Sequence, residues 1–191
     1  MAFPTTPVLD DFNRDNTGSP PSASWTVVNG DLRVYSKQLR GYSEYNAALW
    51  TAETFGPNCE AYITAPVLSY DHAVFARVSG DGLSVSGYEV AVSTNNEIVT
   101  ISRIDEGEAE SVWTQLGTSI PLTFSAGDSL WIECVGNTIT AYYKSSGGSW
   151  TSVGSRTDST YSSAGNIGTY IYSTTGRVDD FGGGTVVVAT T

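Results

Sequence analysis

Residues able to carry acid–base or metal chemistry are scarce in this chain. Its 191 residues include one histidine, His72, and two cysteines, Cys59 and Cys134. That set cannot build a Cys/His zinc site. Cations are scarce as well: nine Lys and Arg stand against twenty Asp and Glu, a formal net charge of −11. Phosphate recognition needs clustered Lys and Arg, so nucleic acid and anionic membrane surfaces are not expected partners. No apolar run is long enough to predict a transmembrane helix. The opening MAFPTTPVLDDF has no basic stretch followed by an apolar one, so no signal peptide is expected. No window sustains helical apolar spacing free of Gly or β-branched runs.

What remains is strand and turn. Twenty glycines and many Ser and Thr break up short β-prone runs. These are Pro7–Phe12, Trp25–Val28, Leu32–Tyr35, Ala47–Ala52, Cys59–Thr64, Ala73–Val78, Tyr88–Ser93, Ile98–Ile104, Val112–Gly117, Leu130–Val135, Ile139–Lys144, Trp150–Ser155, Ile167–Tyr172, Val178–Phe181 and Val186–Val188. Asn29–Gly30 is the strongest short-range hairpin signal. Asn95–Asn96 and Gly136–Asn137 mark further turns, and Gly182–Gly184 reads as a break. The spacing predicts an all-β, two-sheet antiparallel jelly-roll sandwich of about a dozen to fourteen strands. One domain is expected over 1–191, with 185–191 a final strand or an arm reaching a neighbour. Alternation puts Cys59, Ala61 and Ile63 on one inward face, and Leu130, Ile132 and Cys134 on another. The cysteines read as buried thiols, or as a disulfide if their strands are neighbours. In Ile98–Ile104, one face carries Ile98, Thr100, Ser102 and Ile104, the other Val99, Ile101 and Arg103. Such a mixed strand suits a sheet whose concave side meets a ligand.

The segments VLDDFNR, WTVVNGDLRV, AALWTAETFGPNCEAYIT, ISRIDEG, AGDSLWIECVGNTITAYY, GNIGTYIY and RVDDFGGG follow one another in an order that resembles the concanavalin A-like lectin/glucanase jelly roll, in its laminin-G-like branch. The resemblance implies that the first and last strands lie side by side, presenting Phe12 and Phe181 to one core. Asp10, Asp11, Asp179 and Asp180 are then candidates to share a calcium ion, although none is required. The opening PTTPVLDDFNR and GSPPSASW also resembles proteins carried on tailed-bacteriophage virions. That implies a virion location, synthesis in the host cytoplasm, and capsid or tail proteins as partners.

The glucanase branch implies an E-x-D-x-x-E run that sets paired carboxylates on one strand face; this chain has none. Glu106, Glu108 and Glu110 alternate but read as an exposed acidic loop. His72 reads as a strand-edge residue, and no G-x-S-x-G elbow accompanies it. No enzyme activity is therefore expected. Glycan binding draws on aromatic rings, against which sugars stack. Trp50 reads as core, whereas Trp113, Trp131 and Trp150 lie near turns or on outward parity. Tyr42, Tyr45, Trp113, Arg77 and Arg103 are the candidate ligand-binding residues. The leading expectation is a non-enzymatic virion surface protein, a capsid decoration or tail-associated adhesin, assembled as a homo-oligomer and able to meet cell-surface glycan. The first alternative is a free carbohydrate-binding module, and the second a glycoside hydrolase or lyase.

Overall fold

The computed structural model describes residues 4–107 and 110–188. These residues form a two-sheet antiparallel sandwich. Its strands are β1 (Val8–Asp10), β2 (Trp25–Asn29), β3 (Leu32–Tyr35), β4 (Gln38–Gly41), β5 (Tyr45–Phe55), β6 (Cys59–Val67), β7 (Asp71–Asp81) and β8 (Ser84–Ser93). They continue with β9 (Ile98–Asp105), β10 (Val112–Gln115), β11 (Ile120–Pro121), β12 (Ser129–Val135), β13 (Thr138–Lys144), β14 (Thr151–Thr157), β15 (Gly165–Tyr172) and β16 (Arg177–Thr185). One sheet runs β14-β13-β12-β6-β16-β4-β3, with β1 on β16. The other runs β10-β9-β8-β7-β15-β5-β2, with β11 on β9.

Period-2 alternation sorts each central strand between two environments. On the sandwich interior lie Ala61, Ile63, Val74, Ala76, Tyr88, Val90, Val99, Ile101, Leu130 and Ile132. The register stacks the β6 and β12 faces directly: Leu130 opposes Ile63, Ile132 opposes Ala61, and Cys134 opposes Cys59. Both cysteines are buried free thiols. On the far side of the second sheet, Ala47, Leu49, Ala73, Phe75, Val78, Val85 and Ile104 form a separate apolar layer.

The chain ends close the first sheet. β1 pairs with β16, with Asp10 opposite Phe181. Phe12 and Phe181 are both fully buried, and Trp25 packs on each at ring-centroid distances of 6.1 and 4.6 Å. The two Asp-Asp-Phe runs are nevertheless not equivalent. Phe181 lies within β16, whereas Phe12 lies beyond β1 with φ at 50°.

Four local expectations are corrected. The Asn29–Gly30 pair makes no hairpin: β2 belongs to one sheet and β3 to the other, so the turn is a crossover between layers. Gly30 is needed because a Cβ there would meet the Tyr45 carbonyl. Buried Asn46 holds the crossover, accepting from the N–H groups of Asp31, Tyr42 and Ser43 while donating to the Ile171 carbonyl. The local hairpin is instead β3–β4, turned by Ser36 and Lys37, both at positive φ. Gly182–Gly184 does not break a strand; it lies inside β16 and pairs with Tyr62, Ala61 and Glu60 of β6. Beyond Thr185, residues 186–188 form no strand, and 189–191 lie outside the described residues. His72 is no edge residue: it is fully buried in β7, a central strand.

This packing has two measurable consequences. A Cβ at Gly182 would overlap the Tyr62 ring, so Gly182→Ala is expected to cost about 1–3 kcal/mol in chemical denaturation, the range for overpacking. Burial pushes the His72 imidazole down to about 4, below the ordinary 6.5. The unfolded chain therefore takes up a proton that the folded chain refuses. The resulting stability is present above pH 6.5 and is lost as pH falls toward 4, at most about 3 kcal/mol. In urea titrations across that window, His72→Gln is expected to flatten the acid limb.

Candidate functional site

The outer face of the β7-containing sheet is concave and holds a groove of about 830 Å³. Its floor is built from the off-core positions of five strands: Leu49 on β5, Phe75 on β7, Glu89 and Ala91 on β8, Ser102 on β9 and Tyr170 on β15. The register brings them side by side, Phe75 opposite Glu89, Glu89 opposite Ser102, and Tyr170 opposite both Ala73 and Ala47. One wall is the loop entering β10. Ser111 fastens it to the β7–β8 hairpin: its N–H donates to the Leu83 carbonyl and its hydroxyl to the Val85 carbonyl. Trp113 overhangs this wall with half its surface exposed. At the other end Tyr45 lines the groove and meets Tyr172 edge to face at 5.2 Å. Tyr172 meets Tyr70 in the same way at 5.4 Å, and Tyr45 and Tyr70 are about half exposed.

Glu89 sets the electrostatics. It is 8% exposed among apolar neighbours. Burial, reinforced by the charge of Asp71, pushes its carboxyl up to about 7, against the opposing pull of the Trp113 N–H. Tyr170 is raised too, first by burial and then by Asp71 and Glu89. Asp71 also lines the groove, but four residues before Phe75, the partner of Glu89. That separates the two strand positions by about 13 Å.

The sequence-predicted site residues do not all converge here. Tyr45 and Trp113 line the groove from opposite ends. Tyr42 lies beyond β4 of the other sheet, its ring between the guanidinium groups of Arg33 and Arg40 at 4.7 and 4.9 Å. Arg77 is buried, and its N–H groups donate to the carbonyls of Pro57, Tyr161 and Gly136. Arg103 faces the interior side of β9, pairing with Asp105 and Asp158. These three do not line the groove; their cationic or aromatic groups are committed to the protein itself. Trp131 has outward parity on β12 yet is fully buried, stacked on Tyr142 at 3.9 Å and edged by Trp150. Trp50 is half-buried against the core, beside Trp25. Glu106 and Glu110 are exposed in the β9–β10 loop; Glu108 lies outside the described residues.

Of the four terminal aspartates, Asp10, Asp11 and Asp180 line one surface pocket together with Arg14. Both Asp10 oxygens are occupied: Oδ1 accepts from the Phe12 N–H and Arg14 Nη1, and Oδ2 from Arg14 Nη2 and Trp25 Nε1. Arg14 thus supplies the positive charge a metal would bring. Asp11 caps the Asn13 N–H at the surface, and Asp179 accepts from the Asp180 N–H. Among the described residues, no group of three or more His, Cys, Asp or Glu is placed to hold a metal ion.

Glu89, Asp71, Tyr70, Tyr170 and Tyr172 escaped the sequence reading. A signal was present for Glu89: a carboxylate flanked by Tyr88 and Val90 on a strand must face away from the core they enter.

No family model matches the sequence, and no curated protein matches it significantly. Solved structures do match. The carbohydrate-binding module CBM66 from Bacillus subtilis superposes with a TM-score of 0.65 at 16% identity, over 85% of this chain and 94% of that one. The exoplasmic/lumenal domain of VIP36 in its Ca2+-bound form gives 0.65 at 12% identity, over 96% and 91%. The legume lectin-like domain from Entamoeba histolytica gives 0.57 at 10%, over 86% and 91%. The chain has the lectin-like jelly-roll fold.

The groove carboxyl should leave its mark on stability. Its raised value means that Glu89 favours the folded state below its ordinary 4.5, and that this contribution is lost as pH rises through about 7. Glu89→Gln is therefore expected to gain stability over the unsubstituted protein between pH 5 and 8, by at most about 3 kcal/mol. Thermal melts at fixed ionic strength check it; equal pH slopes for both proteins would contradict the assignment.

Proposed function

We propose that this chain is a non-enzymatic carbohydrate-binding module whose glycan lies across the concave face of the β7-containing sheet. The single observation that carries the reading is the groove itself: an apolar floor with half-exposed Tyr45 and Trp113 at its two ends. Sugar rings present apolar C–H faces to aromatic side chains, while edge groups fix the hydroxyls. Ser102, Thr100, Gln115 and Asn29 supply such edge groups along the lining. The lectin-like fold and the neighbours' names, one of them a carbohydrate-binding module and another VIP36 in a form bound to Man3GlcNAc, support this reading. They give no support to the expected capsid or tail role, so the module reading takes precedence. A virion location would be decided by mass spectrometry of purified particles.

The groove does not call on calcium in this reading, since Asp10, Asp11, Asp179 and Asp180 lie outside its lining. Chelation with EDTA is expected to leave glycan binding unchanged. On a glycan array, Tyr45→Ala and Trp113→Ala should each weaken the best signal roughly tenfold, the scale of losing one aromatic anchor. Tyr42→Ala, on the other sheet, should leave it intact. A flat array for the unsubstituted protein would sink the proposal.

A further inference from the structure

The groove lining carries three carboxylates, Asp71, Glu89 and Glu110, and no lysine, arginine or histidine. Among the described residues, no ion pair reaches any of the three. Asp71 Oδ1 is buried with no hydrogen-bond partner, and Glu89 is more than nine-tenths buried yet lines the open groove. Elsewhere, buried Asp10 is answered by Arg14 and partly buried Asp158 by Arg103, and Glu60 Oε1 takes four donors from Thr5 and Thr6, although Glu60 Oε2 is left without a partner. A buried carboxylate with no countercharge is costly, and the cost falls when a ligand brings the cation. The walls suit the same charge, since exposed Tyr and Trp rings attract cations at their faces. The groove is thus built against anions and for a polar, positively charged ligand.

We propose that the glycan bound here bears free amines, an unacetylated amino-sugar oligomer. Its ammonium groups pair with Glu89 and Asp71 while its ring faces stack on Tyr45 and Trp113. This deepens the carbohydrate-binding reading and rests on it. The two carboxylates stand on neighbouring strands, Asp71 four residues before the partner of Glu89, and engage amines on different sugar units, so affinity grows with oligomer length. Like charge turns away uronic-acid and sulfated glycans. The carboxyl of Glu89, balanced near neutrality by burial, gains its counter-ion when the ligand binds.

Isothermal titration with four hexasaccharides tests this: oligoglucosamine, its fully N-acetylated counterpart, a neutral glucose oligomer of the same linkage, and an oligouronate. Oligoglucosamine is expected to bind at least tenfold more tightly than the N-acetylated oligomer, about 1.4 kcal/mol per factor of ten, and the uronate not at all. Glu89→Gln and Asp71→Asn should each cut that preference, the ratio of amine to N-acetyl affinity, at least fivefold. Asp71 is partly exposed, so its variant carries the test if Glu89→Gln fails to fold by near-ultraviolet circular dichroism. Equal binding of the amine and N-acetyl oligomers would overturn amine selectivity and leave the module reading standing. Amine binding indifferent to both substitutions would overturn the assignment to these carboxylates. Tighter capture of an oligolysine than of oligoglucosamine would overturn the amino-sugar assignment in favour of cationic peptides. No binding of any sugar would overturn both readings.

Discussion

The sandwich depends on a few buried charges that tie one layer to the other. Arg77 leaves β7 of the concave sheet at a bulge, with φ at 55°. Its guanidinium gathers three carbonyls, from Pro57 before β6, Gly136 in the β12–β13 turn, and Tyr161 before β15. Arg77 itself is buried, so these three carbonyls satisfy a guanidinium that water reaches poorly. Asp10 forms the complementary tie. It leaves the first sheet on β1 and accepts from the Trp25 indole on β2 of the second. Arg14 balances its charge. Apolar packing drives the layers together, but these directional contacts fix where the loops meet and which termini pair. With the interior so secured, the opposite face of the β7-containing sheet is left open.

That open face follows from a simple geometric fact. A strand residue and its neighbour point to opposite sides, so β8 sends Tyr88, Val90 and Val92 inward and Glu89 and Ala91 outward. On β9 the same rule sends Val99 and Ile101 inward while Thr100, Ser102 and Ile104 line the groove. The outward set is unusual for a solvated sheet face. It is mostly small or apolar, with one buried acid at the centre and aromatic rings at the ends. Such a surface is too apolar to serve only as a solvated face and too acidic to welcome an anion.

Much of this was legible before the structure. Alternation in Cys59–Ile63 and Leu130–Cys134 announced the stacked core, and the matched Asp-Asp-Phe runs announced the closing of the first sheet by its termini. Tyr45 stood out as an aromatic in a stretch rich in polar residues, and Trp113 as one near a turn. Other features were misleading for physical reasons. Asn29–Gly30 carries ideal hairpin chemistry, yet tertiary packing uses its freedom for a crossover held by Asn46. Ser36–Lys37 turns a hairpin with neither Asn nor Gly, because the β3–β4 pairing and its Arg–Tyr contacts outweigh the local cost. Parity alone placed Trp131 outside; it could not show that Tyr142 and Trp150 would cover it.

The fold class, the inward faces of most strands and the unusual lack of cations are set by the order and kind of residues alone. Those properties are local or additive: they depend on alternation, turn residues and composition. Which outward face became the groove was settled by packing in three dimensions, because that depends on which strands stand beside which. It brought Asp71 and Phe75 from β7, Glu89 from β8 and Trp113 from β10 together with Tyr170 from β15, far along the chain. It also committed Arg77 to three loop carbonyls and Arg103 to Asp105 and Asp158, partners that no single strand can foresee.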